Sequence, residues 1–410
     1  MLHKIKRYFS RYKNLSGNVL ALSLVSFLND TSSEIIYPLL PAFLAITLGA
    51  TPFAIGLIEG FAETVSSLLK LFSGYLSDKF EKRKLLVFSG YTLSSLMRPL
   101  LAFATSWQQV LVLRVTDRTG KGIRGAPRDA LIADSTAPEK RGFAFGFHRA
   151  ADHLGAVLGP IIAFALLYLW SENPNEPTAN DYSRIFLFAA IPAILSIFVI
   201  AFLVKDEKHE ISKDENITPI KLSLKEFDGN FKRFLIVIAL FTLSNSTDAF
   251  LLLRATQAGV AEFLLPLLWV FLHISKVVFS LIGGDLSDRI GRKKMIFAGW
   301  ILYALVYVGF AFVSELWQIW TLFFIYGAYF GLTEGVEKAL VADLVEPEKR
   351  GTAYGFYNLA FGITVLPASL IFGALWTKFG AETAFLVSAS ISILAAILLL
   401  TVKTRIKESD

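Results

Sequence analysis

No cysteine occurs in the sequence. Disulfides, thiolate metal sites, iron–sulfur clusters and cysteine nucleophiles are therefore excluded, while the compartment is left open. Charge is also scarce. Asp, Glu, Lys and Arg make up 18% of the 410 residues, where soluble globular chains carry about 25%. Histidine occurs five times, and no further His cluster backs the pair His148 and His153, so no metal site is expected. No G-x-x-x-x-G-K-S/T run is present, which removes a nucleotide-binding loop. No nucleophile–base–orienter set can be assembled either, so neither an enzyme nor a cofactor is expected. The chain is instead rich in apolar bulk: 54% hydrophobic residues, with Phe at 36 positions, and a mean hydropathy of +0.55. That composition excludes intrinsic disorder and nucleic-acid scaffolds, and it is shifted as a lipid-embedded chain is shifted.

A bilayer span needs about 20 mostly apolar residues rising 1.5 Å each. Twelve stretches qualify, roughly 17–46, 52–77, 85–105, 108–136, 143–169, 184–204, 234–256, 263–287, 295–313, 317–345, 352–376 and 382–403. The fourth and tenth carry the most charge. The runs are far longer than the roughly 10 residues of a barrel strand. Basic residues then orient the chain. With both termini in the cytoplasm, 27 of the 40 Lys and Arg fall in internal segments and one, Lys378, in an external loop. The same distribution explains the net charge of +6 without a nucleic-acid partner. The basic N-terminal stretch runs into a long apolar segment with no small-residue cleavage site, so a cleaved signal is not expected. The polar segment 205–233 reads as a cytoplasmic linker. It divides an N-terminal six-helix half, 1–204, from a C-terminal one, 234–410.

The halves repeat. ALIADSTAPEKRGFAFGF at 130–147 matches ALVADLVEPEKRGTAYGF at 339–356, and GYLSDKFEKRK at 74–84 matches GDLSDRIGRKK at 284–294. Parallel repeats of six spans imply an axis along the membrane normal. At this point the sequence resembles the major facilitator superfamily across essentially its whole length. The family's loop motif, G-x-x-x-D-R/K-x-G-x-R/K-R/K, fits Gly284, Asp288, Arg289, Gly291, Lys293 and Lys294 in the second half. In the first half it fits Gly74, Asp78, Lys79, Arg83 and Lys84, with Glu81 in place of the turn glycine. The fourth-span pattern fits Arg118, Gly122 and Ala126. The fifth-span antiporter pattern fits Gly155, Gly159 and Pro160, then departs at Ala163 and Phe164. The run DRTGKGIRGAPRDALIAD resembles a branch that includes magnetosome-associated and siderophore-linked facilitators. The resemblance implies an all-α membrane protein of twelve spans in two pseudo-symmetric halves, with spans one, four, seven and ten lining a central cavity. It also implies residence in a bacterial inner membrane.

Charges inside spans mark the candidate site. Arg114, Asp117, Arg118, Lys121, Arg124, Arg128 and Asp129 fall within about 140° of arc on the fourth span. Each would cost roughly 2.5–3.5 kcal/mol at the bilayer centre if it faced lipid. This face must therefore border water or the bundle interior. Two acids cannot neutralise five cations, so partners come from other spans or from cargo. Arg114, Arg118, Lys121 and Arg124, with Tyr37, are the expected substrate-binding residues. Asp30 and Glu34 on span one lie at about the depth of Lys121 and Arg118 at 1.5 Å per residue. With Glu59 and Glu63 on span two they are the expected proton carriers. Internal ion pairing is the bland alternative for all of these charges. Pro38 and Pro41 should break the outer part of span one. The repeat sets Arg128 and Asp129 against Glu337 and Lys338 with charges inverted, which predicts cross-half pairs at a closed inner gate. Asp248 and Glu334 are secondary cavity residues. The expected function is a monomeric secondary transporter, coupled to protons or another ion, moving a small organic anion or anionic metal chelate. Efflux of cationic or neutral drugs or metabolites is the alternative, and a non-transporting receptor or scaffold a minor one.

Overall fold

In the computed structural model, the described residues are 15–80, 83–137, 141–206, 224–346 and 350–403. They form twelve helical rods and, among them, no strand. The first half contains α1 (Gly17–Thr47), α2 (Pro52–Phe80), α3 (Arg83–Phe103), α4 (Trp107–Asp134), α5 (Arg141–Trp170) and α6 (Ala179–Leu203). The second contains α7 (Gly229–Gln257), α8 (Leu265–Ile290), α9 (Arg292–Ala311), α10 (Leu316–Leu344), α11 (Arg350–Phe379) and α12 (Ala381–Leu399). Each rod coincides with one expected span. Ten contain stretches long and apolar enough to cross a membrane; α4 and α10 are the two that do not. Most of the expected linker, 207–223, lies outside the described residues.

Helix starts follow local chemistry. The side chains of Ser16, Ser106 and Asp228 accept from the backbone of Val19, Gln109 and Phe231 respectively, satisfying donors that a first turn leaves free. Thr178 and Asp181 form a reciprocal capping box. Span one is regular only to Ile36; past Pro38 it continues as a short α turn and a π-helical stretch over Phe43–Thr47, because proline removes a donor. Gly291 at φ +94° and Gly380 at φ +88° make the tight α8–α9 and α11–α12 joins, a conformation that glycine adopts at no steric cost.

The two halves pack alike. In the first, α1 lies on α5 and α6, α4 on α2 and α3, and α3 on α6. In the second, α7 lies on α11 and α12, α10 on α8 and α9, and α9 on α12. Between halves, α2 runs along α11 and α5 touches α8. The outer surface is apolar, with Phe202, Leu169, Ile236 and Phe103 largely exposed. Arg98, Arg114, Asp117, Arg124 and Glu59 are buried within. Polar inside and apolar outside is the arrangement a bilayer demands.

Within each half, helix ends are tied by matching polar contacts. Asn18 exchanges two hydrogen bonds with the Lys205 backbone, donor 2.9 Å and acceptor 2.8 Å. Asn230 does the same with Lys403, at 2.5 and 2.8 Å. Lys84 donates to the Ala201 carbonyl (3.0 Å) and Lys293 to that of Val402 (3.0 Å), each a cation at the C-terminal end of the last helix of its half. Arg83 pairs with Asp134, and Arg292 with Asp343 at 2.5 Å. Arg83 and Lys293 of the loop motif therefore act in the structure as helix-end ties. Arg289 is exposed at the end of α8. Gly74 and Asp78 lie in the last turns of α2, Gly284 and Asp288 in those of α8; their side chains, and Glu81, lie outside the described residues.

Candidate functional site

A cavity of two adjoining lobes separates the halves. The larger, about 630 Å³, is bordered by residues of α1, α4 and α5 with contributions from α8 and α10. The smaller, about 400 Å³, is bordered by α2, α7, α10 and α11. Lys70, Glu334 and Lys338 border both. One end is open: Arg149, Lys338 and Asp129 have side chains 66%, 51% and 47% exposed. This is the end that carries Asn18 and Lys403. The other end is sealed by Leu39, Leu40, Phe43, Phe250, Leu251 and Leu265, all at most 2% exposed. Polar contacts bridge the halves near the seal, among them Phe53 N–H donating to Thr377 Oγ1 at 3.1 Å. Trp269 Nε1 donates to Glu34 Oε2 at 2.7 Å, and the Tyr182 hydroxyl donates to Glu262. Tyr37 packs on the Trp269 ring at 5.0 Å.

The charged face of α4 divides into two sets. Arg114 is not a cavity cation. Its Nε and one terminal nitrogen meet both oxygens of Glu59 at 2.9 and 2.7 Å, with Asp117 at 3.7 Å and the Tyr37 ring beneath at 5.7 Å. In this conformation Arg114, expected to bind substrate, and Glu59, expected to carry protons, form a buried bidentate pair with each other, because the two side chains meet where α4 packs on α2. Arg124 is also committed: it donates to Ser94 Oγ at 2.6 Å and covers the Tyr91 ring at 4.2 Å. Its remaining edge borders the larger lobe. Arg118 and Lys121 differ. Both are half-buried and border the lobe, and among the described residues neither makes a hydrogen bond or ion pair.

The carboxylates gather around these two cations. Asp30 and Glu34 border the same lobe, Asp30 accepting from Asn29 Nδ2 at 2.9 Å. Glu63 borders the smaller lobe. The antiporter-pattern glycines explain how α1 is placed. A Cβ at Gly155 would sit 2.6 Å from the Phe27 carbonyl oxygen, and one at Gly159 2.6 Å from that of Thr31 and 2.8 Å from Glu34 Cβ. Only glycine lets α5 approach this close beside Asp30 and Glu34. Two site residues escaped the sequence reading. Arg98 of α3 is buried, donates to the Asn29 carbonyl and Oδ1 at 2.9 Å each, and lies 3.4 Å from Asp117. A lone arginine within an apolar run was the available signal. Trp269 carried none, since aromatics abound.

In the second half, α7 breaks between Ser244 and Ala249. Asp248, at the break, accepts from the Tyr326 hydroxyl at 2.6 Å and lies 3.7 Å from Lys276. Lys276 stands over the Phe330 ring at 3.9 Å. Glu334 borders both lobes and pairs with Lys338 at 3.2 Å. Neither expected gate pair is made in this conformation. Arg128 binds Asp129 at 2.8 Å. Glu337 turns into its own half, accepting from Trp300 Nε1 at 2.9 Å and the Tyr357 hydroxyl at 2.8 Å.

Comparison with known proteins agrees with this architecture. The profile of the Major Facilitator Superfamily matches residues 22–275 and 255–410. An uncharacterized MFS-type transporter of Methanocaldococcus jannaschii is 37% identical over 395 residues, 95% of either chain. The Escherichia coli multidrug resistance protein MdtG is 24% identical, with 94% of each chain covered. Among solved structures, the nucleoside transporter NupG superposes with a TM-score of 0.79 at 13% identity, covering 94% of this chain and 99% of that one. The molecule is an integral membrane transporter and not an enzyme, and the chain belongs to the major facilitator superfamily.

Proposed function

We propose that the chain is a proton-coupled secondary transporter for small organic anions or anionic metal chelates, working as a monomer in the cytoplasmic membrane with both termini inside. The observation that carries this reading is the pair Arg118 and Lys121, which border the 630 Å³ lobe and, among the described residues, make no hydrogen bond or ion pair. An unpaired cation at this depth costs several kcal/mol unless an anion or water meets it. Charge balance supplies the coupling. Eight basic and eight acidic side chains border the two lobes. An anion binding Arg118 and Lys121 withdraws their counter-charge from the nearby carboxylates, and a proton taken up by Glu63, Asp30 or Glu34 restores the balance. Anion and proton then cross together, as the two halves rock about the central site. With both termini inside, the sealed end faces outward and the open end faces the cytoplasm on this reading.

The name of the multidrug relative favours a second reading, in which Asp30, Glu34 and Glu63 hold a cationic or neutral cargo for efflux. Proteoliposomes separate the two. Anionic organic probes should accumulate when a pH gradient is imposed. Lys121→Ala should abolish the uptake, and Glu63→Gln should remove its dependence on the gradient. Accumulation of cationic probes alone, unaffected by Lys121→Ala, would support the second reading and refute the first.

A further inference from the structure

The two lobes differ in chemistry, and that difference constrains the cargo beyond its charge. The larger lobe carries Arg118 and Lys121 with the carboxylates of α1. The smaller also meets charged side chains, Glu63, Lys70, Glu334, Glu337 and Lys338, but most of the rest of its wall is apolar or aromatic, including Phe241, Tyr329, Phe330 and Phe361. The repeat sharpens the contrast, since Phe330 stands where Lys121 stands in the first half. Most of these rings are engaged: Phe241 stacks on Trp300 at 4.1 Å, and Phe330 lies under Lys276. Phe361 is half-buried, borders the lobe and, among the described residues, makes no ring contact. A compact anion would fill the cationic lobe and leave about 400 Å³ of aromatic-walled space to water.

We infer that the substrate is an amphipathic anion: a carboxylate or similar head held by Arg118 and Lys121, joined to a planar apolar body that lies against Phe361 in the α7–α11 lobe. This rests on the anion reading above and narrows it. Head and body need to be joined directly or by a short spacer, because the lobes adjoin at Lys70, Glu334 and Lys338. The ring-on-ring contact with Phe361 gives orientation as well as affinity, since aromatic pairs favour offset or edge-to-face geometry.

Calorimetric titration of the purified full chain tests this with three probes: 1-naphthoate, acetate and the neutral 1-naphthalenemethanol. Naphthoate should bind at least about tenfold more tightly than either of the others. Phe361→Ala should weaken naphthoate about five- to tenfold, the worth of one aromatic contact, and leave acetate unchanged. Phe361→Leu, which keeps apolar volume and guards against misfolding, should give a smaller loss of the same sign. Equal binding of acetate and naphthoate, or an equal effect of Phe361→Ala on both, overturns the amphipathic inference while the anion reading stands. If naphthoate and the neutral alcohol bind alike and Lys121→Ala changes neither, both readings fall.

Discussion

Glu59→Gln separates the two roles that sequence and structure assign to this carboxylate. In the structure Glu59 neutralises Arg114 through two short contacts, with side chains only 8% and 6% exposed. Solvent screening is therefore weak, and removing one partner of a buried pair costs about 3–5 kcal/mol. The lower figure applies here, because Asp117 remains 3.7 Å from Arg114. Asp117 cannot compensate fully, since it is also the acid nearest Arg98, at 3.4 Å. Glu59→Gln should thus lose about 3 kcal/mol in reversible denaturation of the detergent-solubilised protein. Neutralising both ends, Glu59→Gln with Arg114→Gln, removes the stranded charge and should recover more than half of that loss. Transport by the folded fraction of the single variant should still follow an imposed pH gradient, because the proposed coupling places the proton on Glu63, Asp30 or Glu34. Two results would refute the reasoning. One is unchanged stability with additive single and double effects. The other is a well-folded Glu59→Gln protein whose transport no longer depends on the gradient, which would return the residue to proton carriage.

Other outcomes follow from the same geometry. Gly159→Val should separate α5 from α1 and destabilise the protein by about 1–3 kcal/mol, read by thermal unfolding; a wild-type melting temperature would show that the close approach to Thr31 and Glu34 is not required. Trp269→Phe keeps the ring but removes the donor to Glu34, a charge-assisted bond worth about 1.5–3 kcal/mol. The chain has no cysteine, so Ser33→Cys provides a single label site: Trp269→Phe should raise its modification by an impermeant maleimide from the sealed side, and an unchanged rate counts against the seal. Asp129 and Lys338 are about half exposed at the open end, so they are available to meet when that end closes. Reversing either charge should slow transport, reversing both should restore it, and a double variant no faster than the singles excludes the pair.

Much of the fold is legible in the sequence, because spans are set by apolar length, and the twelve rods start and stop within about five residues of the apolar runs. The largest shifts have local causes: α6 begins early at the Thr178–Asp181 box and α7 early at the Asp228 cap. The break in α7 is not legible, since the segment from Ser244 to Ala249 contains neither Gly nor Pro. In the site, a charged face on α4 turned away from lipid follows from insertion cost alone. Which of its cations are free does not. Arg114 and Arg118 are one helical turn apart, and the neighbouring positions of Glu59 and Asp117 make the first a lock, while the second has no ion pair among the described residues. The direction of Glu337 in this open conformation is not legible for a related reason. An inverted charge pattern locates residues at one depth but does not fix side-chain direction, and Trp300 and Tyr357 draw this carboxylate into its own half.

The duplication itself shows which residues the fold needs and which the cargo needs. Asn18 and Asn230, Lys84 and Lys293, and the Arg83–Asp134 and Arg292–Asp343 pairs recur in both halves at the end that carries the termini, and each of these hydrogen bonds and ion pairs joins elements of one half. Unsatisfied helix ends must be met in each copy, so these positions tolerate no divergence of role. Among the described residues, α2 packs along α11 and α5 against α8, but hydrogen bonds that cross between halves are few. Glu34–Trp269 and Tyr182–Glu262 join α1 and α6 to α8 and its leading turn, and Thr64 donates from α2 to the Gly362 carbonyl of α11 at 2.9 Å. Rigid halves with few polar links between them are what rocking motion requires. At mid-depth the symmetry is broken: Arg118, Lys121 and Arg124 oppose Gly327, Phe330 and Thr333. No helix end needs a cap there, so those positions were free to diverge, one half toward charge and the other toward aromatic surface. An asymmetric cavity between symmetric frames suits a cargo whose two ends differ, and a ligand with identical ends would use only half of it.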